Sequence, residues 1–198
     1  MANFTLERIK SILFYPAYEW KIINAEKRTL KEDFSGYALN LILFGAISQA
    51  IGSFFFVRNV LDIDAYRFSF PLVKAFFYLL MQIFTIFILT FFVNGFSGKL
   101  APQKDFIKSG KLVIYGLTPM FLCYMISNLS SQLILALIPA FYSLWLFAKG
   151  LPVLLKTDRL KIPGFIFIIA LSTLGINYLL DIGFDILTSM IFPDIIIK

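Results

Sequence analysis

The chain has 198 residues, of which 59% are hydrophobic, 18% aromatic and 15% charged, and its mean hydropathy is +0.82. A soluble domain is about 45–50% apolar and about 25% charged, so this composition indicates a membrane protein with several spans. The lack of histidine excludes His-dependent catalytic triads and HExxH-type zinc sites, and a single cysteine, Cys123, excludes an intramolecular disulfide.

The N-terminal segment, residues 1–33, is predicted to form two short amphipathic helices. Apolar residues recur at helical spacing from Phe4 to Leu13, and Pro16 suits the first turn of a second helix. We expect both helices to lie on the lipid surface, with Trp20 at headgroup depth. The alternative is that they pack against the helical bundle. The remainder of the chain, residues 34–198, is predicted to form the transmembrane domain.

Five segments are long and apolar enough to cross a bilayer, at about 20 residues each. The third and fourth are joined by a short polar stretch, 127–131, which predicts an antiparallel hairpin. Pro119 and Pro139 lie within these two segments, where each is expected to kink its helix. Such a kink either shapes packing or belongs to a broken-helix transport site. The five segments are residues 36–57, 70–93, 112–129, 132–155 and 163–186.

The basic residues predict the orientation of these spans. Fourteen of the 18 lie in the N-terminal segment, between spans two and three, or at the end of span four and in the connection to span five. Arg58, Arg67 and Lys198 lie on the other side, and Lys74 lies inside span two. Because basic flanks stay in the cytoplasm, the N-terminus is predicted to be cytoplasmic and the C-terminus external. This arrangement needs an odd number of crossings, in agreement with five spans.

Three stretches together resemble the bacterial branch of the Yip-domain family, whose eukaryotic members interact with Ypt/Rab GTPases. Their order and spacing extend the resemblance over nearly the whole chain. The stretches are SILFYPAYEW with Pro16 and Trp20, YGLTPM with Tyr115 and Pro119, and LIPAFYSLWLFAKGLPVLLKT with Pro139, Tyr142, Gly150 and Pro152.

The resemblance implies an all-α integral membrane protein with five spans in a bacterial cytoplasmic membrane. It implies no enzymatic activity and no cofactor, and a role as a scaffold or assembly factor for other membrane proteins or for membrane organisation. The expected partners are membrane lipids and another integral membrane protein, or a second copy of the chain, and not nucleic acid. The N-terminal segment is much shorter than that of eukaryotic relatives, so the Rab-binding role is not carried over.

Lys74 and two aspartates, Asp181 and Asp185, are the candidate functional charges of the spans. At about 1.5 Å per residue, Lys74 and Asp181 fall within the same external layer of the bilayer, and Asp185 lies about at its boundary. Because charges inside a membrane need a partner or water, we expect a Lys74–Asp181 ion pair. The alternatives are two independent snorkelling residues or a proton or cation pathway. The second functional hypothesis is therefore a small transporter, channel or lipid-moving protein with a polar external cavity around Lys74 and Asp181.

Overall fold

The computed structural model describes residues 2–56, 68–102, 104–127 and 134–192. Regular structure in these ranges is entirely helical, which confirms the all-α fold class. The predicted hairpin stretch is nearly all outside the described residues, as are Arg58, Arg67 and Lys198. The α-helices are α1 (Ala2–Phe14), α2 (Pro16–Ala25), α3 (Leu30–Asp33), α4 (Leu39–Phe56), α5 (Ser69–Leu100), α6 (Phe106–Gly116), α7 (Thr118–Ser127), α8 (Ile134–Leu154) and α9 (Ile162–Ile191).

Local sequence signals explain several helix boundaries. Thr29 and Glu32 form a capping box at the start of α3, which runs through a π-helical turn, Phe34–Ala38, into α4. Asp105 caps α6 by accepting a hydrogen bond from the Lys108 backbone nitrogen at 3.0 Å. The predicted third span is interrupted at Leu117, and the helix resumes with Pro119 as the second residue of α7. Proline is tolerated there because the first turn of a helix needs no intrahelical donor.

Four helical segments in the described ranges are long and apolar enough to cross a membrane: Leu30–Phe55, Ser69–Leu100, Phe106–Ile126 and Arg159–Ile191. A further apolar segment, Ile138–Leu154, forms most of α8 and is shorter. The described part of the protein therefore accounts for four of the five predicted spans by length and composition. Pro139 and Pro152 both lie inside α8.

The bundle is organised around α5 and α8. The α5 helix packs against α4, α6 and α9, whereas α8 packs against α2, α6, α7 and α9. Stacking of Phe77 on Phe184, with centroids 5.0 Å apart, and an edge contact of Phe70 with Phe192 place the start of α5 beside the end of α9. These two helices are thus antiparallel, as the predicted orientation requires.

The N-terminal helices pack on the bundle, and Trp20 is buried in this contact. Trp20, Ile12 and Ile23 are fully buried, and a Cβ added to Gly150 of α8 would lie 2.8 Å from the Trp20 ring. Only a glycine allows α2 and α8 to approach this closely at that point. Trp20 therefore follows the alternative prediction, in which the N-terminal helices pack against the bundle. Phe14, Tyr15 and Tyr18 are exposed and remain free to contact lipid.

Candidate functional site

Two groups of polar side chains lie at opposite ends of the bundle. One group surrounds Asp33, and the other lines a cavity beside Lys74. The continuous helical segment Leu30–Phe55 joins them, with Asp33 in the first group and Gln49 in the second. These two residues are about 24 Å apart along the helix axis at 1.5 Å per residue.

The first group, here called the Asp33 network, contains three acidic and three basic residues. Their formal charges balance, and four of the six are at most 5% exposed: Arg8, Glu19, Asp33 and Lys111. Buried charges persist only when they are paired and hydrogen-bonded. The members of the network are Arg8, Glu19, Glu26, Arg28, Asp33 and Lys111.

Asp33 is the centre of this network. Its Oδ1 accepts hydrogen bonds from Arg28 Nε at 2.8 Å and from the Tyr115 hydroxyl at 2.9 Å. Its Oδ2 lies 3.8 Å from Lys111 Nζ. Lys111 also donates to the carbonyl oxygens of Ile23 and Glu26, at 3.4 and 3.0 Å, and so stabilises the C-terminal end of α2. Asp33 therefore ties α3 to α6, and Lys111 ties α6 to α2.

Arg8 connects α1 to the same network. Its guanidinium donates to the carboxylates of Glu19 and Glu26 and lies over the Tyr115 ring, 5.6 Å from its centroid. Burial alone would lower the pKa of Arg8, but the Glu26 hydrogen bond and the nearby negative charges raise it above its ordinary value. Arg8 is therefore a permanently charged, structural member of the network.

Two family-like positions complete this end of the bundle. Tyr115 packs against Tyr37 in a tilted arrangement with ring centroids 4.8 Å apart, and the Tyr37 and Thr118 hydroxyls are hydrogen-bonded at 2.8 Å. Tyr142 on α8 donates to the backbone oxygen of Leu13 on α1. Both motif tyrosines thus anchor the N-terminal segment to the rest of the bundle.

The second group, here called the Lys74 cavity, lies between α4, α5, α7 and α9 and has a volume of about 220 Å³. Polar side chains from all four helices line it, together with the rings of Phe77 and Phe184. The polar lining consists of Gln49, Lys74, Tyr78, Gln82, Tyr124, Asn177, Asp181 and Asp185.

Lys74 pairs with Asp185, where the sequence predicts Asp181. The distance from Lys74 Nζ to Asp185 Oδ1 is 3.2 Å, and within the described ranges Asp181 forms neither a hydrogen bond nor an ion pair. Both aspartates lie on one face of α9 because they are four residues apart. A flexible lysine side chain can reach an aspartate on either turn of α9. Distances along the helix axes therefore predict the depth of Lys74 in the bilayer but not which aspartate it contacts.

The cavity continues from these charges toward the middle of the bundle. Asn177 lies one turn before Asp181 on α9, and Gln82 lies about two turns beyond Lys74 on α5. Gln82 is 2% exposed and Tyr78 is 8% exposed. The sequence predicted Lys74, Asp181 and Asp185 as functional charges at this end of the bundle, but it did not point to Gln49 or Tyr78. The spacing of Lys74 and Tyr78, one turn apart on α5, was the available signal for Tyr78.

A metal site is not apparent in the residues that the structure describes. They contain no group of three or more Cys, Asp or Glu side chains placed to hold a metal ion. Cys123 is buried. The arrangement therefore offers a structural ion network at one end and a polar cavity at the other.

These features define an all-helical, multi-pass membrane protein. The family model of the Yip1 domain matches residues 10–180, and the chain belongs to the Yip1-domain family. The match includes the Asp33 network except Arg8, and it includes the lining of the Lys74 cavity as far as Asn177. Asp181, Phe184 and Asp185 lie beyond the matched residues. No curated protein and no solved structure matches the chain.

Proposed function

We propose that this protein is a scaffold or assembly factor that binds another integral membrane protein, without enzymatic activity. Membership of the Yip1-domain family supports this proposal, because the family is generally non-enzymatic. We place it in a bacterial cytoplasmic membrane with five spans, a cytoplasmic N-terminus and an external C-terminus. The 21 residues of α8 support a fifth crossing, because they extend about 32 Å.

The main observation in favour of a partner protein is the unequal burial of the spans. In the most apolar part of the Phe106–Ile126 segment 72% of residues are buried, against 17% in Arg159–Ile191. Gly164, Gly175 and Gly183 on α9 have open space where a Cβ would lie. Helix association in membranes depends on close packing at such small residues. The exposed surface of α9 is therefore the surface we assign to a partner helix.

Photo-crosslinking in native membranes tests the scaffold proposal. A photoreactive residue is placed at Leu171, Leu174 or Leu179 on α9, and control positions are Phe44 on α4 and Phe91 on α5. All five side chains are more than half exposed. We expect one discrete protein adduct from the α9 positions and lipid adducts from the controls. Lipid adducts alone at every position would contradict the proposal, and an adduct of twice the protein mass would identify a second copy as the partner.

The Lys74 cavity favours a second candidate, a small transporter, channel or lipid-moving protein. The cavity reaches past Asp181 to Asn177 and Gln82. Beyond it, Leu89, Val93 and Ile169 are buried, so a transported molecule would need this apolar layer to open. Flux of an amine or a labelled lipid into proteoliposomes, lost in Asp181→Asn, would support this candidate. Equal flux in protein-free liposomes would contradict it.

A further inference from the structure

The unpaired polar atoms of the Lys74 cavity are mainly hydrogen-bond acceptors. Lys74 is occupied by Asp185, which leaves the Asp181 carboxylate without an ion-pair partner among the described residues. The Asn177 amide nitrogen donates to the Thr173 carbonyl at 2.8 Å, so its buried Oδ1 is left unpartnered. A ligand that satisfies both groups must supply hydrogen-bond donors.

Two deeply buried side chains add independent evidence for a ligand. Tyr78 lines the cavity, is 8% exposed and has an unpartnered hydroxyl oxygen. Gln82 also lines the cavity, is 2% exposed and forms no hydrogen bond to the rest of the described chain. An unsatisfied buried polar group costs about 1–3 kcal/mol. The Tyr78 hydroxyl and Asn177 Oδ1 are thus two buried, unpartnered atoms at one cavity, and a single bound ligand would satisfy both.

The charge of the cavity selects a cation. One lysine and two aspartates give a formal charge of −1, and the stacked rings of Phe77 and Phe184 line the same space. Aromatic faces attract cations within about 6 Å. The volume of about 220 Å³ is far above the ~15 Å³ that one water molecule requires. The cavity therefore has the charge and the space for a small organic cation.

We propose that the Lys74 cavity binds a primary ammonium group, with Asp181 as its counter-ion and Asn177 Oδ1 as a hydrogen-bond acceptor. A primary ammonium offers three N–H donors, which match the unpaired acceptors. A quaternary ammonium offers none and would leave them unsatisfied. The same chemistry occurs in an aminophospholipid headgroup and in a soluble amine. This inference is independent of the scaffold proposal and adds a ligand class to the transport candidate.

The first experiment uses the wild-type full-length protein and compares ligands. In detergent, isothermal titration calorimetry measures binding of ethanolamine, tetramethylammonium and ethylene glycol. In nanodiscs, native mass spectrometry measures retention of phosphatidylethanolamine against phosphatidylcholine. We expect ethanolamine to bind at least tenfold more tightly than tetramethylammonium, or phosphatidylethanolamine to be retained selectively. The first result identifies a soluble amine and the second a lipid headgroup. Absence of both preferences in the wild-type protein overturns the proposal.

The second experiment uses variants with a matched control. Asp181→Asn keeps the shape of the side chain and removes its charge, and we expect at least a tenfold loss of ammonium affinity. Tyr78→Phe removes one hydroxyl and should lower affinity about fivefold, the equivalent of one hydrogen bond. The control is Glu7→Gln, because Glu7 is an exposed carboxylate on α1, outside the cavity. Equal affinity in Asp181→Asn and Glu7→Gln would overturn the assignment of Asp181.

Binding and transport are separable outcomes. If ethanolamine or phosphatidylethanolamine binds but no flux is seen in proteoliposomes, the ligand site stands and the transport candidate fails. If crosslinking identifies no partner, the scaffold proposal fails without affecting the ammonium site. If the Asp181→Asn variant unfolds, Tyr78→Phe and the wild-type ligand series still decide the proposal.

Discussion

The two ends of the bundle use charge in opposite ways. In the Asp33 network three acidic and three basic residues balance, and its central carboxylate is 1% exposed. In the Lys74 cavity acids exceed bases, the ion pair is partly exposed, and one aspartate has no ion-pair partner in the described ranges. Balanced charges on buried side chains are typical of a structural role, whereas a carboxylate beside a cavity that lacks an ion-pair partner is typical of a binding site.

The largest expected effect is the loss of Asp33. Asp33→Ala removes the carboxylate that faces Arg28, Tyr115 and Lys111. Removing one partner of a buried ion pair leaves an uncompensated charge, which costs about 3–5 kcal/mol. We expect a decrease of this size in the free energy of unfolding, measured by reversible denaturation in mixed micelles. The control Lys31→Ala changes an exposed charge two residues away, and an equal loss there would refute the special role of Asp33.

The contact between α2 and α8 should be nearly as sensitive to added volume. A Cβ at Gly150 would lie 2.5 Å from Leu112 Cδ1 and 2.8 Å from the Trp20 ring. Overpacking of this kind typically costs about 1–3 kcal/mol. We expect Gly150→Ala to release the N-terminal helices, detected as faster hydrogen exchange in α1 and α2.

A matched glycine tests whether this effect comes from packing. Gly164→Ala on α9 has nothing within 4 Å of the added Cβ, and alanine favours a helix over glycine by about 1 kcal/mol. It should leave exchange in α1 and α2 unchanged. If both substitutions accelerate exchange equally, the close approach at Gly150 does not hold the N-terminal segment.

The Lys74 cavity should respond to substitution with the opposite sign. Gln82→Leu replaces a buried polar group that has no hydrogen bond within the described chain with an apolar group of similar volume. Such a change is nearly neutral or stabilising, and we expect stability to rise by up to about 1 kcal/mol while ammonium affinity falls. Denaturation and calorimetry on the same preparation measure both quantities. A loss of more than about 1 kcal/mol would show that Gln82 is a structural residue like Asp33.

For Lys74, Asp181 and Asp185, the sequence predicted the depth in the bilayer better than it predicted the ion pair. Hydropathy and the distribution of basic residues place Lys74 beside the end of the last span, and the ring contacts between α5 and α9 agree. The partner differs by one helical turn, about 5.4 Å, because axial distances do not specify side-chain rotamers. The cavity itself depends on four helices meeting, which one-dimensional periodicity does not encode.

The Asp33 network was not predicted, for a different physical reason. Charged residues on a short amphipathic helix are usually solvated, so the N-terminal segment predicts a polar helix face and not the buried ion pairs of Arg8 and Glu19. Trp20 suits a membrane interface and a buried helix contact equally well, because both environments reward a large amphipathic ring. The useful signal was the mixture of acidic and basic residues among apolar neighbours in the N-terminal segment. That Gly150 faces the tryptophan is visible only in the structure.

The smallest expected effect concerns the Lys74 ion pair, and it identifies the partner of the lysine. The Lys74 and Asp185 side chains are 25% and 63% exposed, and exposed pairs typically contribute only about 0–1 kcal/mol. Two charge reversals separate the alternatives: Lys74→Asp combined with Asp185→Lys, and Lys74→Asp combined with Asp181→Lys. We expect the first double variant to recover the stability lost by its single changes, measured by double-mutant cycles in micelles. Recovery only in the second would show that Asp181 is the partner in the membrane, and Asp181 would then not be free to act as the counter-ion of an ammonium group.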